Sequence, residues 1–254
     1  MKNRPNGFKR GMQAGQVQYG LWSHLCSAIT TEILAGCGYD WLLLDMEHSP
    51  NDLQEVLAQL HAMQDGSATP IVRPPWNDKL YMKRLLDIGV QTFLVPYVQN
   101  AEEARAAVSY TRYPPEGVRG FAGAPRAADY GRNTAYAHTC TDDICLLVQV
   151  ETRTALENLE QIAAVDGVDG VFIGPGDLAA SLGHLGNPRH PDVLAEIDRA
   201  IARIRACGKP AGILTGDEAL ARHYVDQGCL FVAIGADQNV LRHGAESLLR
   251  RVRG

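Results

Sequence analysis

The sequence predicts an α/β fold of one architecture, a (β/α)8 TIM barrel forming a single domain over residues 1–254, and three observations predict it. Eight apolar runs alternate with amphipathic stretches from end to end, the pattern of repeated βα units rather than of strands grouped together. The 254 residues match the roughly 250 typical of such a barrel. Chemically capable residues also stand just after separate runs: Asp45, Glu47 and His48 after WLLL, Arg73 after PIV, Gln149 and Glu151 after LLV, and Asp177 after GVFI. Such runs are strands buried on both faces, so these side chains gather at the strands' carboxyl ends, where a barrel carries its chemistry.

The strands fall near residues 17–22, 40–45, 69–73, 92–97, 145–150, 169–173, 210–214 and 230–234. Between them, Ser49-Pro50-Asn51-Asp52 combines a helix cap, a first-turn proline and an acid three residues on, and Thr215 to Glu218 repeats the spacing. Segment 191–208 sets Leu194, Ile197, Ile201 and Ile204 on one helical face, as a helix lying on a barrel requires. Two stretches exceed a minimal connection, 114–143 before the fifth strand and 174–192 after the sixth. Both are expected to leave a strand's carboxyl end and to shape a site or a subunit contact. No low-complexity tract or linker divides the chain.

Composition narrows the function. A net charge of -5 offers no basic face for a polyanion, so no nucleic-acid partner is expected, and an anionic small molecule would need a local arginine. The six cysteines, at 26, 37, 140, 145, 207 and 229, have neither zinc-site spacing nor the density of a disulfide scaffold and read as reduced thiols. The first residues lack the apolar stretch of a secretory signal, and no run approaches the ~18 apolar residues of a membrane span. A cytoplasmic protein without a membrane partner is expected.

Glu151 and Asp177 follow neighbouring strands, so their carboxylates can converge on one hard cation such as Mg2+, Mn2+ or Co2+, with coordination positions left for substrate oxygens. Equally, Glu151 can cap the helix of ETRTALENL and Asp177 its own loop. Gly174-Pro175-Gly176 lets backbone amides approach a carboxylate, or simply turns the chain. Arg73, stiffened by Pro74-Pro75, suits either a carboxylate or a developing enolate oxygen, or else an ion pair with Asp45 or Glu47. His48 is the titratable base in the group, its plainer role being a loop hydrogen bond to a neighbouring acid.

These residues lie within longer blocks: GLWSHL, AGCGYDWLLLDMEHSPND, IVRPPWND, LLDIGVQTFLVPYVQNAEEA, TRYPPEGVRG, LLVQVETRTALENL, DGVDGVFIGPGDLAASLGHLGNPRHP and AGIL. Together they resemble the HpcH/HpaI class II pyruvate aldolases over nearly the whole chain. The resemblance implies a barrel of the phosphoenolpyruvate/pyruvate-binding type, a homohexamer, and reversible joining of enolised pyruvate to an aldehyde with a divalent metal. It assigns metal ligation to Glu151 and Asp177, proton transfer to His48, transition-state stabilisation to Arg73, and ketoacid contacts to Gln149, Gly176 and Asp177. By the same resemblance Asp87 raises the basicity of His48, although its place at a helix end points it toward the opposite end of the barrel. Gly176 stands where alanine or serine is common, and Ser23-His24 lie in a variable stretch, positions suited to tuning aldehyde choice. A CoA-ester or other C–C lyase is the second reading; it would need a basic surface, and only Arg119, Arg126 and Arg132 are scattered where one would lie. A silent metabolite-binding barrel is the third, disfavoured because every principal position holds a competent side chain.

Overall fold

Alternation within each apolar run decides which side chains enter the barrel. In the computed structural model, which describes residues 5–254, the runs are β1 (Gln18–Ser23), β2 (Trp41–Asp45), β3 (Thr69–Arg73), β4 (Thr92–Val95), β5 (Cys145–Val150), β6 (Gly170–Ile173), β7 (Ala211–Leu214) and β8 (Phe231–Ala236). Each pairs in parallel with the next and β8 returns to β1, closing the barrel with no sheet edge. Trp22, Trp41, Leu43, Ile71, Leu147 and Phe172 point inward into one buried cluster. Leu21, Leu42, Leu44, Val72, Leu146 and Val148, one step away in the pleat, face the surrounding helices.

Large and small residues interdigitate inside the barrel. A Cβ on Gly20 would enter the Trp41 ring, and one on Gly212 would enter the Phe231 ring, so two glycines make room for two aromatics. The floor is closed by a helix that the periodicity did not reveal, Gly7–Gln13, capped by the Asn6 side chain. Its Phe8 packs edge-on against Trp41 at 6.0 Å and Phe231 at 5.8 Å.

Four expectations change. The helix after β2 starts at Leu53 with Asp52 as its cap and Glu55 completing a capping box. Ser49 Oγ instead donates to the Asp45 carbonyl, and Asn51 Nδ2 donates to the same oxygen at 2.7 Å, so both are used to finish the strand. Likewise Asp217, not Thr215, caps the helix Glu218–Asp226. The 114–143 stretch lies at the barrel's amino face, not its carboxyl face, because the helix Ala101–Thr111 after β4 has already run back down. There Asp143 carboxylate and carbonyl oxygens accept from Asn6, and Arg126 Nη1 donates to the Ile88 carbonyl at 2.5 Å. In the helix Pro191–Ala206, Ile197, Ile201 and Ile204 are buried as expected, with Val193 in place of the half-buried Leu194.

Removing the floor plug should show its weight. Phe8→Ala is expected to lower unfolding free energy by about 3–5 kcal/mol in urea denaturation, as for other buried aromatics. A loss below about 0.5 kcal/mol, the scale of surface changes, would mean that the 7–13 helix is not part of the barrel core.

Candidate active site

The inward parity of the strands continues past the last apolar layer and sets polar side chains above it. His24 follows Gly20 and Trp22, Asp45 follows Trp41 and Leu43, Arg73 follows Ile71, and Gln149 and Glu151 follow Cys145 and Leu147. Asp45 and Arg73 are also register partners across β2 and β3. Arg73 Nε donates to Asp45 Oδ1 at 2.7 Å and Nη2 to Oδ2 at 2.6 Å, while Nη1 lies 2.9 Å from Glu47 Oε2. The ion pair left open by the sequence is therefore made to both acids. It does not use up the guanidinium: Asp45 takes two of its five N–H bonds, and three remain, those on Nη1 facing Glu47. The Trp22 ring, 5.4 Å below, supports the cation from the hydrophobic side.

Burial raises the Asp45 carboxyl, yet hydrogen bonds from His24 and Arg73 outweigh it and hold the group well below the usual carboxylate range. Glu151 has the opposite balance. Burial pushes it up to about 7, helped by the neighbouring charges of Glu47 and Asp177, against hydrogen bonds from Gln149 and the Tyr97 backbone. Gln149 Nε2 donates to Glu151 Oε2, and the Tyr97 N–H donates to Oε1 at 2.8 Å. Tyr97 adopts φ +57, a left-handed conformation uncommon for a non-glycine residue, and so turns its amide toward the carboxylate. A Cβ on Gly174 would strike Glu151 and Gln149, so this glycine makes their close approach possible.

Thr152 caps the helix Arg153–Glu157, which leaves Glu151 free of the capping role. Asp177 sits in the exposed first turn of the helix Pro175–Ser181, near enough to raise both Glu47 and Glu151. His48 is exposed, its Nε2 3.9 Å from Glu47 Oε2. That glutamate oxygen, out of line for a hydrogen bond to Arg73, is a buried acceptor with no hydrogen-bond donor, as is Gln149 Oε1. Four carboxylates thus face one guanidinium and two histidines, an excess of negative charge and of oxygen donors that fits a hard divalent cation at Glu151 and Asp177. Gly176 is exposed, with open space where a Cβ would stand, so an alanine or serine would fit there.

Asp87 is not brought to this group. It ends the helix Lys79–Asp87, which descends from the carboxyl face, and it pairs with the buried Arg119 at 3.3 Å at the other end of the barrel. Within one chain the pairing with His48 is therefore not formed. Conversely, sequence reasoning missed Tyr97, Asp237 and the full part of His24. His24 was marked only by its parity two residues beyond Trp22; Asp237 follows β8, which runs two residues longer than its apolar run suggests.

Other polar clusters have structural explanations. His184 and His190 lie beside Asp192, but their rings stack at 3.6 Å and 13°, which keeps their in-plane lone pairs from meeting at one ion. A cavity of about 530 Å³ at the amino face holds Lys9, Arg205 and Lys209, each donating to a main-chain carbonyl: Ile144, Gln227 and Val168 respectively.

The family model for HpcH/HpaI aldolase/citrate lyase matches residues 18–244. The chain belongs to this family. It is 55% identical over 97% of its length, and 93% of the relative's, to a 4-hydroxy-2-oxo-heptane-1,7-dioate aldolase of Klebsiella pneumoniae. Among solved structures, an HpcH/HpaI aldolase/citrate lyase family protein from Burkholderia cenocepacia superposes with a TM-score of 0.95 at 40% identity, covering 98% of this chain and 100% of the other. An HpcH/HpaI aldolase from Desulfitobacterium hafniense does so with a TM-score of 0.89 at 28% identity, covering 96% of each.

The buried glutamate of this family member has a measurable signature. A carboxyl raised from 4.5 to about 7 favours the folded state when protonated, so its contribution is full below pH 4.5 and is lost as pH rises through 7. With chelator present, stability relative to Glu151→Gln should fall by on the order of 3 kcal/mol across that window. Parallel stability curves for the two proteins would show that Glu151 titrates normally.

Proposed function

We propose that the chain is a class II pyruvate aldolase, which reversibly cleaves 4-hydroxy-2-oxoacids to pyruvate and an aldehyde with the aid of Mg2+, Mn2+ or Co2+. The observation that carries this reading is the grouping of Glu47 and Asp177 about Glu151, which is buried and driven up to about 7, with Arg73 paired to Glu47. Glu151 and Asp177 would hold the cation. When bound, it supplies Lewis acidity toward the ketoacid's oxygens.

Each remaining role belongs to the chain itself. Gln149, Gly176 and Asp177 are assigned to the ketoacid, with the unpartnered Gln149 Oε1 and the exposed backbone of Gly176 available for contact. The N–H bonds of Arg73 that Asp45 does not take are suited to the oxygen that gains charge as the enolate forms. His48, exposed beside Glu47, would exchange a proton with the pyruvate methyl carbon or the aldol hydroxyl. Asp87 can assist only a His48 of another subunit. Apolar Val240, Leu241, Leu248 and Leu249 on the last helix, with Ile29 and Ile33, stand exposed and favour assembly, as the proposed homohexamer requires.

The acyl-CoA alternative loses its cations: Arg119 is buried against Asp87, Arg126 holds the Ile88 carbonyl and Arg132 pairs with Asp129, all away from the site. No helix among the described residues is long and apolar enough to cross a membrane, and all six cysteines are free, which supports a reducing compartment such as the cytoplasm.

A retro-aldol assay on chelated protein, beginning with 4-hydroxy-2-oxo-heptane-1,7-dioate and followed by cation add-back, tests the proposal. Activity should vanish on chelation and return with the cation; full activity in chelator, or a borohydride-trapped lysine adduct of pyruvate, would replace it with Schiff-base chemistry.

Two substitutions separate the roles. Arg73→Lys keeps the charge and loses the planar fork, so turnover should fall by about 10²–10³ with a much smaller change in pyruvate KM. Unchanged turnover would reduce Arg73 to a structural ion pair. His48→Ala should retain cation and pyruvate binding while aldol cleavage drops about 10²–10⁴-fold. Near-normal methyl-proton exchange across the pH range would move the proton-transfer role to Glu47 or a water.

A further inference from the structure

We propose that His24 is a positioning residue for Arg73, an imidazolium that shares the Asp45 carboxylate and thereby leaves the guanidinium electrophilic toward substrate. The effect on catalysis rests on the aldolase reading; the ionic state of His24 does not. His24 Nε2 lies 2.9 Å from Asp45 Oδ2, and Nδ1 lies 2.9 Å from Gln238 Oε1. With the Gln238 amide oxygen turned to the ring, both partners present acceptors, and a ring that donates from both nitrogens to meet them is the cation.

The surroundings hold the ring in place. Asp237, first residue of the last helix, accepts from Ser23 Oγ and from the backbone N–H groups of His24, Leu25 and Gln238, tying the end of β1 to the end of β8. From its own loop, Cys26 Sγ donates to the His24 carbonyl. The groups facing the imidazole are thus Asp45 from β2, with Arg73 behind it, and Asp237 and Gln238 from the last helix. Burial pulls the His24 pKa down, but the hydrogen bonds to Asp45 and Gln238 and the charges of Asp45 and Asp237 raise it overall.

Asp45 accepts from Arg73 Nε, Arg73 Nη2, the Glu47 N–H and His24 Nε2, four donors for the four acceptor directions of a carboxylate. With a charged His24, the set of Arg73, His24, Asp45 and Glu47 is neutral. Without that charge the set carries one net negative charge, and Arg73 faces two carboxylates alone. An oxygen gaining negative charge beside Arg73 is then less well stabilised, whereas a ground-state ketoacid is affected less.

The test compares wild-type holoenzyme with His24→Gln, which can still donate to Asp45 but cannot be charged. At pH 6.5, kcat for retro-aldol cleavage should fall roughly tenfold, the scale of one charge-assisted hydrogen bond, with pyruvate KM within about threefold. The alkaline fall of the wild-type kcat profile that comes from His24 should disappear. Histidine ring NMR gives a readout independent of turnover: His24 should carry protons on both nitrogens at pH 6.5, and its midpoint should drop in Gln238→Leu, which removes the Nδ1 acceptor and leaves Asp45 intact. A neutral His24 ring at pH 6.5, or a His24→Gln enzyme with wild-type kcat and pH profile, overturns the proposal. If wild-type protein shows no aldol activity, the function reading fails and the NMR measurement still decides the state of His24.

Discussion

The site depends on one buried ion pair, the fork between Asp45 and Arg73. Both groups are almost wholly removed from water, and desolvating two ions is costly enough that such pairs are weak sources of stability. Their value here is directional. Two parallel hydrogen bonds fix the guanidinium plane, the register of β2 and β3 fixes the pair, and Pro74-Pro75 stiffens the chain that leaves it. Asp45 also accepts, through its main-chain oxygen, the bonds of Ser49 and Asn51 that shape the loop carrying Glu47 and His48. Asn51 in turn accepts from Gln59, whose Oε1 accepts from Thr31, so the loop is anchored to two helices. Loosening that aspartate would disturb Arg73 and the loop of Glu47 and His48 together, the groups proposed to stabilise the enolate and to move the proton.

Most of the barrel was legible because its strands are hydrophobic on both faces and its period of two continues into the polar residues. Trp41, Leu43, Asp45 and Cys145, Leu147, Gln149, Glu151 are each a single inward series, and the sequence alone places their ends at one face. What escaped reading follows from interactions with no local spacing. Ser49 resembles a cap, but the nearby Asp45 carbonyl competes for its hydroxyl. Residues 114–143 look like an active-site loop until the helix Ala101–Thr111 is counted, which reverses the face on which they lie. Asp237 was hidden by the irregular β1 to β8 pairing, whose register shifts between Gly20 and Trp22 and lengthens β8 beyond its apolar run. The contribution of Tyr97 comes from a backbone angle, to which no residue pattern points.

The two halves of the site are built differently. Arg73, Gln149 and Asp45 belong to strands and are held by barrel packing, whereas His48, Gly176 and Asp177 belong to loops or a helix's first turn and are exposed. Rigid elements suit the oxygen atoms common to any 2-oxoacid, since misplacing a stabilising group by an ångström is costly to a transition state. Loops suit the part of the reaction that varies, the aldehyde. Leu185 and Arg189 in the 183–190 loop and Trp76 against Tyr97 stand outside the strands, so changes there leave the strand-borne groups in place.

Glu151 shows the tension that makes such a site work. Its oxygens already accept from Gln149 and from a strained Tyr97, a conformation that costs on the order of 1–3 kcal/mol, yet burial and two neighbouring acids still hold the carboxyl near neutrality. Were stability alone at stake, a neutral side chain would serve better at that position. A carboxyl poised in this way needs only a nearby positive charge to ionise, and a divalent cation shared with Asp177 would provide it while relieving the repulsion from Glu47. The same electrostatic imbalance that weakens the fold locally would therefore favour a bound cation.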